Sequence, residues 1–431
     1  PIMNWRFGTM PYSKTRPFGS VMVSIAFKAV FDCRSARPSD KLRVRLTLTR
    51  ACSSMIYLDY NATTPVDPEV LAAMLPFLKE DFGNSTSAHS AGQRSAKAIE
   101  DARESVADFL GADQANEIVF TSGGTEGNNW SILGTLLGSG DKRRIITTPV
   151  EHANVSNLCS KLENDGKVSV SRLSVDGNGE LDLDELRACL TPETALVSMM
   201  LANNETGVIF PVREAAKIVK ENSDAVFHVD AVNGAGKIPF SLKGTEIDLV
   251  SISAHKFCGP KGVGALFIRK GVRLQPAMIG GGHEMGRRAG TSPTHQIVGL
   301  GVAAKIAGRF AGTEQLCRLR DRLENALLEI PSTQVNGTRE VSKRLPNTTN
   351  ISFENTNGER IMHHLDELGI CVSTGSACHT KDHTASSVLE AMQVPFSFAM
   401  GSIRFSLGRH TTEEEITTVI ERTKDVVKAL R

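Results

Sequence analysis

Short apolar runs closed by a polar residue recur along this chain. The clearest cover residues 225–230 (Ala-Val-Phe-His-Val-Asp) and 248–253 (Asp-Leu-Val-Ser-Ile-Ser). Runs of this length, rich in β-branched and aromatic residues, read as buried strands. Residues 117–122 and 144–148 repeat the pattern, and another run ends at Leu201, before the polar cluster Asn203-Asn-Glu-Thr-Gly207. Residues 71–78 and 95–109 read as helices, the second placing its apolar side chains three and four apart. Gly177-Asn-Gly179 marks a turn. Alternating helix and strand predicts an α/β fold, a three-layer α/β/α sandwich around a mostly parallel sheet. From about residue 305 the pattern changes to a long helix over 314–328, then strand, helix, a strand over 369–373, and a final helix from Thr412. That predicts a smaller α+β domain.

Composition narrows the class of protein. With 431 residues, 40% of them hydrophobic, the chain can bury a large core, and a net charge of +1 suggests no nucleic acid or other polyanion as partner. No apolar stretch reaches the length of a membrane span, since residues 21–30 are interrupted by Ser24 and Lys28. Eight cysteines without paired spacing point to a reducing compartment, with the cytoplasm expected. Residues 1–54 stand apart, with ten Lys and Arg against two acids, Asp32 and Asp40. Two readings stay open: a transit peptide for a mitochondrion or other organelle, or translation that begins at Met55. Under either, this leader is expected to be disordered and to play no part in catalysis.

The chemistry gathers where the runs end. Asp230 closes one predicted strand, and Lys256 follows another in Ser253-Ala-His-Lys256. A carboxylate and an amine at neighbouring strand ends suit pyridoxal phosphate: the lysine attaches the aldehyde, and the aspartate keeps the pyridine nitrogen protonated. Gly123-Gly124-Thr125, between a strand and a helical pattern, offers backbone N–H groups and a hydroxyl to a phosphate. His152, closing the strand at 144–148, offers an imidazole that can stack on a planar ring, and Asn204 lies at another strand end. Polar groups at four strand ends mark the rim of a parallel sheet, where ligands bind. Cys378, in Ser373-Thr-Gly-Ser-Ala-Cys378-His379, is a thiol among small residues, suited to a loop that carries sulfur. Cys378, His379 and His383 have ligand-like spacing, but a closed zinc site takes four ligands, so no metal is expected.

The motifs run in order from Tyr57-Leu-Asp-Tyr-Asn-Ala-Thr-Thr-Pro65 to Ser402-Ile-Arg-Phe-Ser-Leu-Gly-Arg409. Between them come Ser122-Gly-Gly-Thr-Glu126, Glu151-His152, Asn203-Asn-Glu-Thr-Gly207, His228-Val-Asp230, His255-Lys256, Gly280-Gly-Gly-His283 and Gly375-Ser-Ala-Cys378. In these the chain resembles the cysteine desulfurases and selenocysteine lyases, the NifS-like branch of the class V aminotransferases with the type I pyridoxal-phosphate fold. The resemblance covers nearly everything after residue 55. It implies pyridoxal 5'-phosphate on Lys256, Asp230 facing the pyridine nitrogen, and His152 stacked on the ring. It implies Gly124, Thr125, Ser253 and His255 around the phosphate, with Asn204 and Asn233 beside the ring. Thr291 would reach the phosphate of a second subunit, which implies a homodimer. Arg404, with Asn204, would hold the substrate carboxylate, and Cys378 would accept sulfur. The expected regions are a leader (1–54), a segment joining the small domain (55–68), the large domain (69–305) and the small domain carrying the Cys378 loop (306–431).

Departures from the family pattern are few. Asn233 stands where most relatives have glutamine, and Asn84-Ser85 where Asn-Pro is usual. His379, Val394-Pro-Phe396 and Leu345-Pro-Asn347 look more like the selenocysteine lyases. The expected activity is removal of sulfur from L-cysteine, giving L-alanine and a persulfide on Cys378 for an acceptor protein. The alternatives are a lyase for L-selenocysteine, which would hand on selenium, and a silent scaffold. The full set of Lys256, Asp230, His152, Cys378 and Arg404 argues against silence.

Overall fold

A computed structural model of the chain describes residues 55–310, 314–375 and 385–431. The basic leader and the segment with Cys378, His379 and His383 lie outside the described residues. Strand β1 (Ile56–Tyr57) opens the described chain. Seven strands then form one sheet: β2 (Ile118–Thr121), β3 (Arg144–Thr147), β4 (Ser169–Arg172), β5 (Thr194–Met200), β6 (Val226–Asp230), β7 (Leu249–Ser253) and β8 (Gly264–Ile268). Their order is β2-β8-β7-β6-β5-β3-β4, and β8 alone runs antiparallel to its neighbours. This is the expected mostly parallel sheet.

Alternation along the strands explains the layers. Ile146, Val197, Val250 and Phe120 point into one buried cluster, packed by the helices Pro68–Lys79, Ser90–Leu110 and Thr294–Phe310. Ile145 and Leu196 point into a second, beneath the helices Gly124–Gly138 and Ala153–Asn164; Leu249 and Val119 fill a third with Trp130. Successive residues of a strand face opposite sides, so a sheet buried on both faces needs apolar residues at nearly every position. That is why these runs showed no polar alternation.

A second, smaller sheet runs β12-β10-β9, with β9 (Thr333–Val335), β10 (Thr348–Phe353) and β12 (Ser402–Ser406) all antiparallel. The short strand β11 (Ile370–Cys371) pairs in parallel with β1. Ile56 and Leu58 join Ile351, Phe353, Ile403 and Phe405 in the core under this sheet, closed by the helices Glu314–Leu327 and Glu413–Leu430. The last helix starts at a reciprocal cap: Thr412 Oγ1 accepts from the Glu415 N–H (3.2 Å), and Glu415 Oε2 accepts from the Thr412 N–H (2.9 Å). No helix among the described residues is long and apolar enough to cross a membrane.

Candidate active site

The parallel register places Asp230, the last residue of β6, opposite Ser251 of β7, so the two strands end side by side. Lys256 follows β7 by one short turn, His152 follows β3, and Asn204 follows β5. These ends open into a cavity of about 230 Å³. Lys256, Asp230, His152, Asn204 and Asn233 line it together with Gly124, Thr125, Ser253 and His255. Thr291 is exposed and does not line the cavity. Its loop is nevertheless held at the same helix start, because Arg288 forms a two-pronged ion pair with Glu126 (2.8 and 3.1 Å).

Each group is fixed by its neighbours. Asp230 is buried, and its oxygens accept from the Asn128 side chain (2.6 Å) and the Val232 N–H (2.9 Å). Lys256 Nζ donates to the Asn61 carbonyl at 2.5 Å. His152 caps the helix Ala153–Asn164, its Nδ1 accepting from the Asn154 N–H (3.2 Å), and lines the cavity from there. Gly123, at φ +150°, makes the turn into the helix Gly124–Gly138, whose first N–H groups have no partner within the helix. A side chain at Gly124 would meet Val232 at 2.5 Å. The result is an anion cradle walled by Thr125, Ser253 and His255. Arg404, on β12, is 6% exposed; it donates to Asp59 Oδ1 (2.6 Å) and the Asn204 carbonyl (3.0 Å), while its buried Nε has no partner among the described residues.

The aminotransferase class-V family model matches residues 56–419. The chain belongs to that family. It is 53% identical to a cysteine desulfurase of Trichormus azollae over 88% of this chain and 94% of that protein. It is 45% identical to the cysteine desulfurase NifS of Azotobacter vinelandii over 87% of this chain and 93% of that one. Among solved structures, a NifS-like protein superposes with a TM-score of 0.82 at 39% identity, covering 87% of this chain and all of that one. The protein SspA, solved in complex with cysteine, superposes with a TM-score of 0.73 at 34% identity, covering 83% of this chain and all of SspA.

Electrostatics set this class-V aminotransferase site apart from the surrounding surface. Burial, with the Arg404 charge adding to it, pushes Lys256 down from 10.5 to about 8, against the opposing pull of Asp230 and Asp59. Burial, then Lys256, pushes His255 down to about 4, so its imidazole is neutral at physiological pH. Burial raises Asp230, while the Val232 N–H, His152, Asn128 and Lys256 act to lower it. Burial also pushes Glu151 up to about 8; one of its oxygens accepts from Thr148 and the Met200 N–H, and the other has no partner among the described residues.

Several site residues carried no assigned role in the sequence. Asn128 and Asn154 form a relay from Thr125 to Asp230 (3.2, 3.1 and 2.6 Å). Their positions, just after the glycine turn and two residues after His152, were the available signal. Asn61 and Asp59 lie in the first motif; Asn61 touches Lys256 of the cavity lining, and Asp59 touches Arg404, which does not itself line the cavity. Glu205 accepts from Ser386 Oγ (2.5 Å) and lies against Gly375, joining the residues that flank 376–384; burial pushes it up to about 7.

Proposed function

We propose that this chain is a pyridoxal-phosphate-dependent cysteine desulfurase that converts L-cysteine to L-alanine and leaves the sulfur as a persulfide on Cys378. The observation that carries this reading is the cavity shared by Lys256 and Asp230, in a chain half identical to curated cysteine desulfurases over 88% of its length. The cavity suits the cofactor: an amine of lowered basicity, a buried carboxylate, and an anion cradle at a helix start open into one space. Gly124, Thr125, Ser253 and His255 would hold the phosphate, Asp230 the pyridine nitrogen, His152 the ring face, and Asn204 and Asn233 the ring edge. Bound there, pyridoxal phosphate supplies the electron sink that lets the α-proton and the Cβ–S bond of cysteine be broken.

The remaining work belongs to the chain. Lys256 would anchor the aldehyde and, once displaced by the substrate amine, move the α-proton; an amine near neutral basicity can both take and return it. Arg404 would fix the substrate carboxylate by charge and by its planar donors. The Cys378 thiolate would attack the substrate sulfur. The Cβ–S bond breaks as the S–S bond forms, and the electron pair stays with the carbon fragment, which takes a proton and leaves as alanine. Thr291 would complete the phosphate site of a second copy, making the working unit a homodimer, and an acceptor protein would collect the sulfur.

The test measures alanine and sulfide from purified protein given cysteine and a reducing thiol, with selenocysteine in parallel. Equimolar alanine and sulfide are expected, with one added sulfur on Cys378 by mass spectrometry after one turnover. Cys378→Ala should stop alanine formation from cysteine while sparing some from selenocysteine. Turnover of selenocysteine alone would replace this reading with the lyase.

A further inference from the structure

Behind Lys256 lies a second cavity, about 60 Å³, bordered by Lys237, Cys258 and Lys256 itself. Lys237 is a lysine in an unusual setting. Among the described residues its two hydrogen-bond partners are both amide oxygens, Asn61 Oδ1 at 2.6 Å and Asn233 Oδ1 at 2.7 Å, and neither carries a charge. We propose that Lys237 is a positioning residue for the cofactor cavity, clamping the side-chain oxygens of Asn61 and Asn233 so that Asn233 presents its nitrogen to that cavity. This rests on the pyridoxal-phosphate reading above.

The inference follows from what each group can donate and accept. A side-chain amide has an oxygen that accepts and a nitrogen that donates, and a half-turn exchanges them. Lysine only donates in these contacts, so the Asn233 oxygen must face it. The Asn233 nitrogen then points the other way, one hydrogen going to the Asn203 carbonyl (3.2 Å). The second hydrogen is left for the cavity that Asn233 lines. A cofactor ring oxygen on that side meets a donor; without the clamp it could meet a carbonyl instead. Asn61 is held in the same grip, and its backbone carbonyl receives Lys256. One amine therefore sets both an amide at the ring edge and the residue against which Lys256 rests.

Burial lowers the basicity of Lys237 well below the ordinary lysine range, and the Lys256 and Arg404 charges lower it further.

The experiment measures the dissociation constant of pyridoxal phosphate for the full-length apoprotein, by visible absorbance and by equilibrium dialysis. Four proteins are compared: the parent, Lys237→Met, Asn233→Ala and the double variant. Loss of one hydrogen bond to the cofactor predicts about tenfold weaker binding in each single variant. The double variant should lose much less than the two single losses combined, because the lysine acts on the ring edge through that amide. A purely structural lysine would instead weaken both backgrounds equally, and that result overturns the proposal. So does unchanged affinity in Lys237→Met. Should Lys237→Met fail to fold, Lys237→Gln keeps a donor on a shorter stem and should bind with intermediate affinity; parent-like or Met-like independence from Asn233 would count against the clamp. A parent protein that binds no pyridoxal phosphate would sink the cofactor reading itself, a separate outcome.

Discussion

The lowered basicity of Lys256 gives a measurable rate. Only a neutral amine attacks an aldehyde. With its pKa pushed from 10.5 to about 8, about a quarter of Lys256 is neutral at about pH 7.5, against about one part in a thousand for an ordinary lysine. The site therefore gains roughly two hundredfold in reactive amine before orientation counts. Burial is the leading cause, so the shift should survive added salt, which screens Arg404 but leaves desolvation alone. Apoprotein mixed with pyridoxal phosphate, followed by visible absorbance from about pH 6.5 to about pH 10, should show a capture rate that climbs and then levels near pH 8. A simple alkylamine run alongside corrects for titration of the aldehyde itself. The same shift affects stability. The unfolded chain holds the Lys256 proton up to about 10.5 and the folded chain only to about 8, so the group costs stability below that window and the cost fades as pH rises through it. Its size is about 3 kcal/mol, visible as a gap between Lys256→Met and parent apoproteins that closes at alkaline pH. A capture rate still climbing steeply past about pH 9.5, or a constant gap, would refute the reasoning.

Two further outcomes follow from other buried groups. Arg404→Lys keeps the charge but loses the planar fork that now spans Asp59 and Asn204; KM for cysteine should rise about tenfold or more with a smaller change in kcat, and an unchanged KM would remove Arg404 from substrate binding. Glu151 keeps its proton to about pH 8 in the folded chain, whereas an unfolded glutamate loses it near 4.5, so its contribution falls as pH rises between those values. Glu151→Gln should flatten that slope in denaturation curves and be the more stable protein at about pH 8, by up to about 4 kcal/mol; a slope identical to the parent's would show that the carboxyl ionises freely.

Much of the site was legible because its residues close strands, and strand ends are marked by a change of composition. Lys256, Asp230, His152 and Asn204 all follow apolar runs, and the structure brings them into one cavity. The strand edges moved by a residue where capping intervened: Glu117, read as strand, lies in a short turn, its carboxylate accepting from the Gln114 N–H. The run 369–373 yields only Ile370–Cys371 as strand, paired with the two-residue β1, while Ser373 makes a separate antiparallel bridge to Arg404. The helix Thr294–Phe310 runs straight through residue 305, where the pattern changed, because it packs on Ser90–Leu110 rather than on its sequence neighbours. Asn61, Asn128, Asn154 and Lys237 escaped for a different reason. Their importance lies in hydrogen bonds to residues far along the chain, and polar residues in loops carry no periodicity from which such partners can be read.

The pairing of Asp59 with Arg404 spans 345 positions, and Asn61 meets Thr348 across 287. On a growing chain, the lysine strand and its aspartate can pair as soon as the large sheet is made, but the wall behind Lys256 stays unfinished until β10 and β12 emerge. The early segment must wait, with Asp59 unpaired, through most of synthesis. Closing so long a loop is slow relative to local pairing. The described lining of the cofactor cavity lies within residues 62–256, whereas the space behind Lys256 also needs residues 346–347 and 407–409, so a chain lacking β12 would offer the cofactor an amine without the Arg404 charge that lowers its basicity.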